Sequence, residues 1–334
     1  MNVLFLFRRL MKMDYRRTLM DIRTSAQRSG RTFSFIAWDM FRCGIRYGAG
    51  PVDYTLFAFY DKTEDQRASY VTRTISTQLV RALNDAGYRQ FLDSKSLQCR
   101  KFSPFMKRDW MSTAYMNPAS FVRFCQGKQA FLYKPDTGSC GKGIRKYLPT
   151  QDNLPRLFEE IASLPAGVLE EVICQHTALS ELNPGCVNTV RLVTILQNGV
   201  YTPVCAVLRM GRSGSIVDNL NSGGIAARID LQTGLVSGPA ADKAGNLYEC
   251  HPDSRITVDG FQIPLWDQVL SLGKALSQTL SQMKYVGWDI AIRQEDVIFV
   301  EGNWLPGHDI MQLPAFCADG YGILPAIRKA ISAA

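Results

Sequence analysis

The sequence predicts an α+β protein in which a helix-rich first third precedes a sheet-rich body. Three observations predict it. Residues 8–30 and 64–86 are polar-rich stretches whose apolar residues recur at helical spacing. From about residue 129, short runs alternate apolar and polar residues as half-buried strands do. One long amphipathic segment, 265–283, interrupts those runs late in the chain.

Residues 8–30 are rich in Arg, Leu and Met and end at Ser29-Gly30. In 64–86, Tyr70, Ile75, Leu79, Val80 and Leu83 fall on one side of a helix, with Gly87 as the stop. The stretch 101–116 is aromatic and irregular. QAFLYKP (129–135) reads as a strand, TGSCGKG (137–143) as a loop, 152–164 as a helix and AGVLEEVI (166–173) as a strand. VNTVRLVTIL, GVYTPVCAVLRMG, GIAARIDL and VIFVEGNW alternate as further strands, and 322–332 forms a last helix. The division falls into a helix-rich region over 1–120 and an α+β region over 121–334.

Composition bounds the rest. The chain has 334 residues, 46% of them hydrophobic and 20% charged, enough for a large core. No apolar run approaches the roughly 20 residues that span a bilayer. At the start, the apolar patch precedes Arg8, Arg9, Lys12, Arg16 and Arg17, the reverse of a secretory signal, so it reads as an ordinary first helix. A peripheral contact with a membrane surface stays open. Nine scattered cysteines without a C-x-x-C pair fit reduced thiols in a cytoplasmic protein. Three histidines, none spaced for zinc, argue against a zinc site. The net charge of +8 favours an acidic partner. Basic residues are dense in the first third, around Arg23, Arg28 and Arg31. No helix-turn-helix, RNP or zinc-finger signature points to a specific nucleic acid.

Three features carry chemistry. In FLYKPDTGSCGKGIRKY, Lys134 closes a strand and a flexible loop follows, with Gly138, Ser139, Gly141, Lys142 and Gly143. Glycines let backbone amides approach phosphate oxygens, and lysines add charge. The spacing is not that of a Walker loop. A plain turn with solvated lysines is the other reading. In GWDIAIRQEDVIFVEGNW, Glu301 and Asn303 share a strand face, and strand pairing can bring Asp289 opposite them. Three oxygen donors on adjacent strands suit Mg²⁺, which takes one or two carboxylates plus substrate phosphates. A surface hairpin with acidic residues is the alternative. Arg191 and Arg209 sit inside apolar runs on neighbouring strands, where an arginine has an anionic partner, a ligand or a structural carboxylate.

The order of these features resembles the ATP-grasp superfamily. Residues from about 125 to 325 are similar to its sugar-transfer-associated family, found beside bacterial surface-polysaccharide genes, through the strings YKPDTGSCGKGI, VNTVRLVT, VDNLNSGGI, GWDIAI and EGNWLPG. The resemblance implies an ATP-grasp fold, two α+β lobes clasping ATP, with a lid subdomain over about 128–172 and a metal-binding lobe over about 173–334. It implies that Lys134 meets the α and β phosphates and that the loop with Ser139, Gly141, Lys142 and Gly143 closes over them. The strand 169–173 would be a hinge, with Glu170 or Glu171 and the Val172 backbone at the adenine and His176 or Glu181 at the ribose. Asp289, Glu301 and Asn303 would hold one or two Mg²⁺, with Mn²⁺ as a substitute. Arg191 and Arg209 would stabilise the transferring phosphoryl group, and Asn188, Asn219 and Gly223-Gly224 would line the reaction centre.

The activity so implied is ATP-dependent ligation of a carboxylate to an amine through an acyl phosphate. The partners would be an amino acid and an anionic sugar or glycan intermediate, in a cytoplasmic enzyme with an open possibility of contact with the inner membrane surface. A phosphotransferase acting on a hydroxyl, or a nucleotide-binding module without catalysis, are the competing readings.

Overall fold

The computed structural model describes residues 14–138 and 141–333. Among the described residues the first third holds the helices α1 (Tyr15–Ser29), α2 (Phe33–Arg46), α3 (Pro51–Leu56), α4 (Glu64–Ala68), α5 (Arg73–Leu83), α6 (Gln90–Asp93), α7 (Lys95–Lys101) and α8 (Ser103–Met106). Capping explains their starts. The Asp14 carboxylate accepts from Arg17 N at 3.0 Å at the head of α1, and Gly30 ends that helix in the left-handed region at φ 68°. The part of the expected first helix before Asp14 lies outside the described residues.

The helix expected over 64–86 is two helices. The chain between α4 and α5 leaves helical geometry because it docks on the C-terminal segment. Tyr70 and Val71 are fully buried there. Gln312 accepts from Val71 N at 3.0 Å and donates to Val71 O at 2.7 Å. A long-range amide clamp thus overrides local helical propensity.

The sheet-rich body holds two antiparallel sheets. The smaller runs β1-β4-β2-β3, built from β1 (Trp110–Ser112), β2 (Phe131–Pro135), β3 (Arg145–Tyr147) and β4 (Gly167–Glu171), with α9 (Pro118–Cys125) and α10 (Leu154–Ala162) covering it. The helix α11 (Thr177–Leu182) leads to the larger sheet. Its order is β11-β10-β5-β6-β7-β8-β9, from β5 (Thr189–Gln197), β6 (Val200–Met210), β7 (Ile225–Ile229), β8 (Val236–Ala241), β9 (Leu247–Tyr248), β10 (Tyr285–Ile292) and β11 (Val297–Asn303). One face packs Leu192, Leu208 and Trp288 against α12 (Trp266–Thr279). The other packs Val193, Ile195 and Val207 with residues of α5 and α13 (Leu324–Ser332). β8 was not among the expected strands; Gly238 and Pro239 fall in its middle, residues that interior strands seldom carry.

One irregularity decides the site. Ile290 pairs with Phe299 but Asp289 pairs with Glu301, leaving Val300 as an extra residue. This β-bulge switches which side of the sheet the strand's residues face. Phe299 sits in the core with Trp288 and Phe102, whereas Glu301 joins the face of Asp289.

Candidate active site

A row of charged residues crosses three strands of the larger sheet. Asp289 on β10 lies opposite Arg191 on β5 on one side and Glu301 on β11 on the other. Arg209 on β6 lies opposite Thr189, one step along. The same face carries Val193, Ile195 and Val207 in the apolar layer, so it passes from hydrocarbon to charge within one strand length. Charges this deep require partners. Arg191 binds Asp289 through Nε and through Nη2, the latter at 2.9 Å, and its Nη1 donates to Pro306 O at 2.9 Å. Arg209 Nη2 reaches Asp289 at 3.2 Å and Asp218 at 3.0 Å. Burial pushes the Asp289 carboxyl up, but Arg191 and Arg209 outweigh it and hold it below the usual carboxylate range. Burial likewise works against the Arg209 cation, and Asp218, Asp289 and Glu301 more than restore it.

The smaller sheet supplies the facing wall. Lys134 on β2 and Glu170 on β4 are nearly fully buried, with Lys134 Nζ 2.9 Å from Glu170 Oε2. Arg108 Nε donates to the same oxygen at 3.0 Å, and its Nη1 donates to Phe299 O at 2.6 Å, tying the two sheets together. Burial raises the Glu170 carboxyl, yet Arg108 and Lys134 bring it down to about 2. Lys95, at the start of α7, bridges both walls: its Nζ donates to Glu301 at 3.2 Å and to Gly138 O at 3.3 Å.

Between the walls lies a cavity of about 150 Å³. Leu132, Ile144, Ile173, Val187 and Ile216 give it apolar sides, and Lys95, Lys134, Lys142, Arg191 and Arg209 give it cations. A second cavity of about 700 Å³ adjoins it, sharing Gly138, Arg191, Arg209, Asn219, Glu301 and Asn303. Its other walls include Arg73, Arg89, Asp93, Lys243, Trp304 and Asp309. Arg89 stacks on the Trp304 ring at 3.6 Å and bonds Asp93 at 2.9 Å, while Trp304 Nε1 donates to Asp93 at 2.6 Å. Burial raises Asp309, and Lys243 and His308 reverse that and hold it low.

Most of the expected residues meet here. Lys134, Gly141, Lys142, Glu170, Glu171, Arg191, Arg209, Asn219, Asp289, Glu301 and Asn303 all line the smaller cavity. Gly141 and Gly143 take left-handed φ of 72° and 77°, and a Cβ on Gly143 would lie 2.9 Å from Pro135 Cγ. Ser139 lies outside the described residues. Gly143, Val172, His176, Glu181 and Asn188 do not line the cavity. His176 instead caps α11, its Nδ1 accepting from Ala178 N at 3.2 Å. Glu181 sits exposed on that helix. Asn188 is buried in an amide network, its Nδ2 donating to Leu179 O at 2.9 Å and Asn183 O at 3.0 Å. The Glu170 side chain is committed to Lys134 and Arg108 rather than turned to a base, and Glu171 Oε2 accepts from Asp109 N at 3.1 Å. Lys95, Arg108, Thr189 and Asp218 went unnoticed in the sequence. Asp218 stands inside VDNLNSGG beside Asn219, but Lys95 and Arg108 belong to the helical third, where no motif marks them.

The sequence profile of the family described as sugar-transfer associated ATP-grasp matches residues 157–329, more than half of the 334 residues. The chain belongs to that family. The sugar-transfer associated ATP-grasp match covers the larger sheet with its charged row and leaves Lys134, the glycine loop and α1–α9 outside it. Among solved structures the chain is similar to D-alanine–D-alanine ligase from Bacillus anthracis, at 14% identity over 78% of this chain and 74% of that one, TM-score 0.45. It is similar to D-alanyl-alanine synthetase A from Vibrio cholerae, at 11% identity over 73% and 64%, TM-score 0.44. It is also similar to the ATP-grasp ligase PsnB complexed with minimal precursor, Mg and ADP, at 15% identity over 75% and 61%, TM-score 0.39. The chain thus spans under two thirds of the latter two. Identities and scores of this size assign no role to any residue. No curated protein sequence matches the chain.

Proposed function

We propose that this member of the ATP-grasp family is an ADP-forming carboxylate–amine ligase that joins an amino acid to a sugar carboxylate or an aminosugar in surface-polysaccharide synthesis. The observation that carries the reading is the meeting of two unlike sets of groups in one cleft. Lys134, Lys142 and Lys95 supply charge for a polyphosphate, and Arg191, Arg209, Asp289, Glu301 and Asn303 stand across from them.

The residues fit Mg·ATP. Among the described residues no cluster of three or more His, Cys, Asp or Glu side chains could hold a metal unaided. Mg²⁺ does not need one, because substrate phosphates complete its shell. Glu301, Asn303 and Asp289 would hold it, and the ion, when bound, would neutralise charge developing on the transferred phosphoryl group. An arriving polyphosphate would share Arg191 and Arg209 with Asp289, leaving carboxylate oxygens of Asp289 for the metal.

The rest follows from the protein's own groups. Arg191 and Arg209, already desolvated and anchored on buried strands, would stabilise the equatorial oxygens in transfer. The substrate carboxylate attacks the γ-phosphorus, ADP leaves, and an amine then displaces phosphate from the acyl phosphate. Residues 137–143 would cover the phosphates and exclude water from that intermediate. The larger cavity, where Arg73, Arg191 and Arg209 stand beside the paired Arg89–Asp93 and Lys243–Asp309, would take the anionic carboxylate partner, and the helix-rich first third helps to build it.

The test is calorimetric titration of Mg·ATP into the wild-type protein and Glu301→Gln, followed by hydroxylamine trapping with candidate uronates and amino acids. Mg²⁺-dependent binding that weakens in the variant, with hydroxamate formed alongside ADP, is the expected result. A stable phosphorylated hydroxyl product would make the chain a kinase. No nucleotide binding would end the reading.

A further inference from the structure

We propose that α1 and α2 form a docking surface for an anionic lipid bilayer. The helix α2 buries Ile36, Asp39, Met40 and Cys43 against its neighbours. At about 100° per residue, the direction opposite that stripe belongs to Ser34, Trp38, Phe41 and Ile45. A surface helix normally turns polar residues that way. Here Trp38 is 62% exposed, Phe41 44% and Ile45 43%, and the Trp38 and Phe41 rings stack at 5.8 Å. The neighbouring α1 buries Ile22 and Ser25 and leaves Leu19 and Met20 exposed among Arg16, Arg17 and Arg23.

Charge identifies the occupant. The first 46 residues hold ten basic and three acidic residues, a net +7, whereas the whole chain is +8. The remaining 288 residues are therefore almost neutral as a whole, and the chain's excess of positive charge lies in its first 46 residues. The described residues 14–46 hold seven basic and three acidic residues, so a second copy on this face would set positive charge against positive charge. A nucleic acid would meet the arginines but give Trp38, Phe41 and Ile45 nothing to bury into. An anionic bilayer satisfies both, with aromatic and aliphatic side chains at the headgroup boundary and arginines at the phosphates. In sequence, residues 1–13, ahead of the Asp14 cap, continue the same composition, with Val3, Leu4, Phe5, Leu6 and Phe7 beside Arg8, Arg9 and Lys12. Among the described residues no helix is long and apolar enough to cross a membrane, so the attachment is to one surface.

The proposal stands apart from the ligase reading and is read without nucleotide. The full chain is floated with phosphatidylcholine vesicles with and without phosphatidylglycerol, beside Trp38→Ser/Phe41→Ser/Ile45→Ser and Arg16→Glu/Arg17→Glu/Arg23→Glu. Wild type floats only with phosphatidylglycerol and releases in high salt. Each triple variant loses the bound fraction about tenfold or more while its thermal transition is unchanged. Wild type that stays at the bottom overturns the proposal. So does a serine variant that floats like wild type, including one that needs only residues 1–13 to do so. A wild-type dimer in sedimentation velocity that the serine variant converts to monomer, with no vesicle binding, assigns the face to a second copy instead.

Discussion

Arg191 and Asp289 lie directly opposite each other in the β5–β10 ladder, both buried and joined by two hydrogen bonds. Asp289 is the pivot of the row, because the next strand on its other side brings Glu301 alongside. The pair belongs at once to the architecture and to the proposed chemistry, and the two contributions separate by experiment.

Replacing Arg191 with Met leaves Asp289 buried with Arg209 alone. Loss of one partner of a buried pair costs about 3–5 kcal/mol. Asp289→Asn alone should destabilise comparably by leaving Arg191 without its carboxylate and Arg209 with Asp218 alone. The double variant should recover part of the loss, measured by urea unfolding of all four proteins. Strict additivity would show the two residues to be energetically independent.

Glu170 makes the protein acid-sensitive in a defined window. Its carboxyl is held at about 2 against an ordinary 4.5. A depressed carboxyl stabilises fully above its unfolded value, and that stabilisation disappears as pH falls through the folded one. The contribution is about 3 kcal/mol. Stability should therefore fall between pH 4.5 and about 2, and Glu170→Gln should be less stable at neutral pH but flatter in that interval. Equal slopes in both proteins would remove Glu170 from the acid limb.

The two lysines near the glycine loop should differ. Lys134 is buried and fixed by Glu170, whereas Lys142 is exposed. A preordered cation loses less freedom on binding a phosphate. Lys134→Met should weaken ATP binding by about tenfold or more, roughly 1.4 kcal/mol, and Lys142→Met by less, by calorimetry. The reverse order would move the main phosphate contact onto the loop.

Gly167 permits the close pairing that places Lys134. A Cβ there would sit 2.4 Å from Lys134 O and 2.7 Å from the Tyr133 ring. Gly167→Ala should cost about 1–3 kcal/mol and also raise the Kd for ATP, because β2 must shift. Unchanged nucleotide affinity in a destabilised variant would uncouple that strand from the site.

How far the sequence foretold this depends on the range of the forces involved. The strands β2, β4, β5, β6, β7 and β11 and the helix α12 were legible because alternation and amphipathicity are local. Arg191, Arg209, Asp289, Glu301 and Asn303 were legible because charge inside an apolar run is anomalous within a few residues. What escaped was long-range. Gln312 breaks the helix between α4 and α5 from some 240 positions away. Lys95 and Arg108 earn their places through Glu301, Glu170 and Phe299, none of them near in sequence. His176 or Glu181 was expected at the ribose and Asn188 at the reaction centre, but His176 caps α11, Glu181 sits exposed on that helix and Asn188 is held in the amide network around Asn183.

Val300 makes β11 two half-strands of opposite phase. The first half answers to the hydrophobic interior and can exchange one apolar side chain for another of like volume. The second answers to the cleft. Deleting Val300 would make Phe299 and Glu301 neighbours and leave Glu301 opposite Asp289, whereas a regular strand that kept its full length would turn Glu301 and Asn303 towards Trp288 and Phe102. At its present length a flawless pleat would be the defect in β11, because the extra residue is what lets Phe299 and Glu301, two positions apart, serve opposite faces of the sheet.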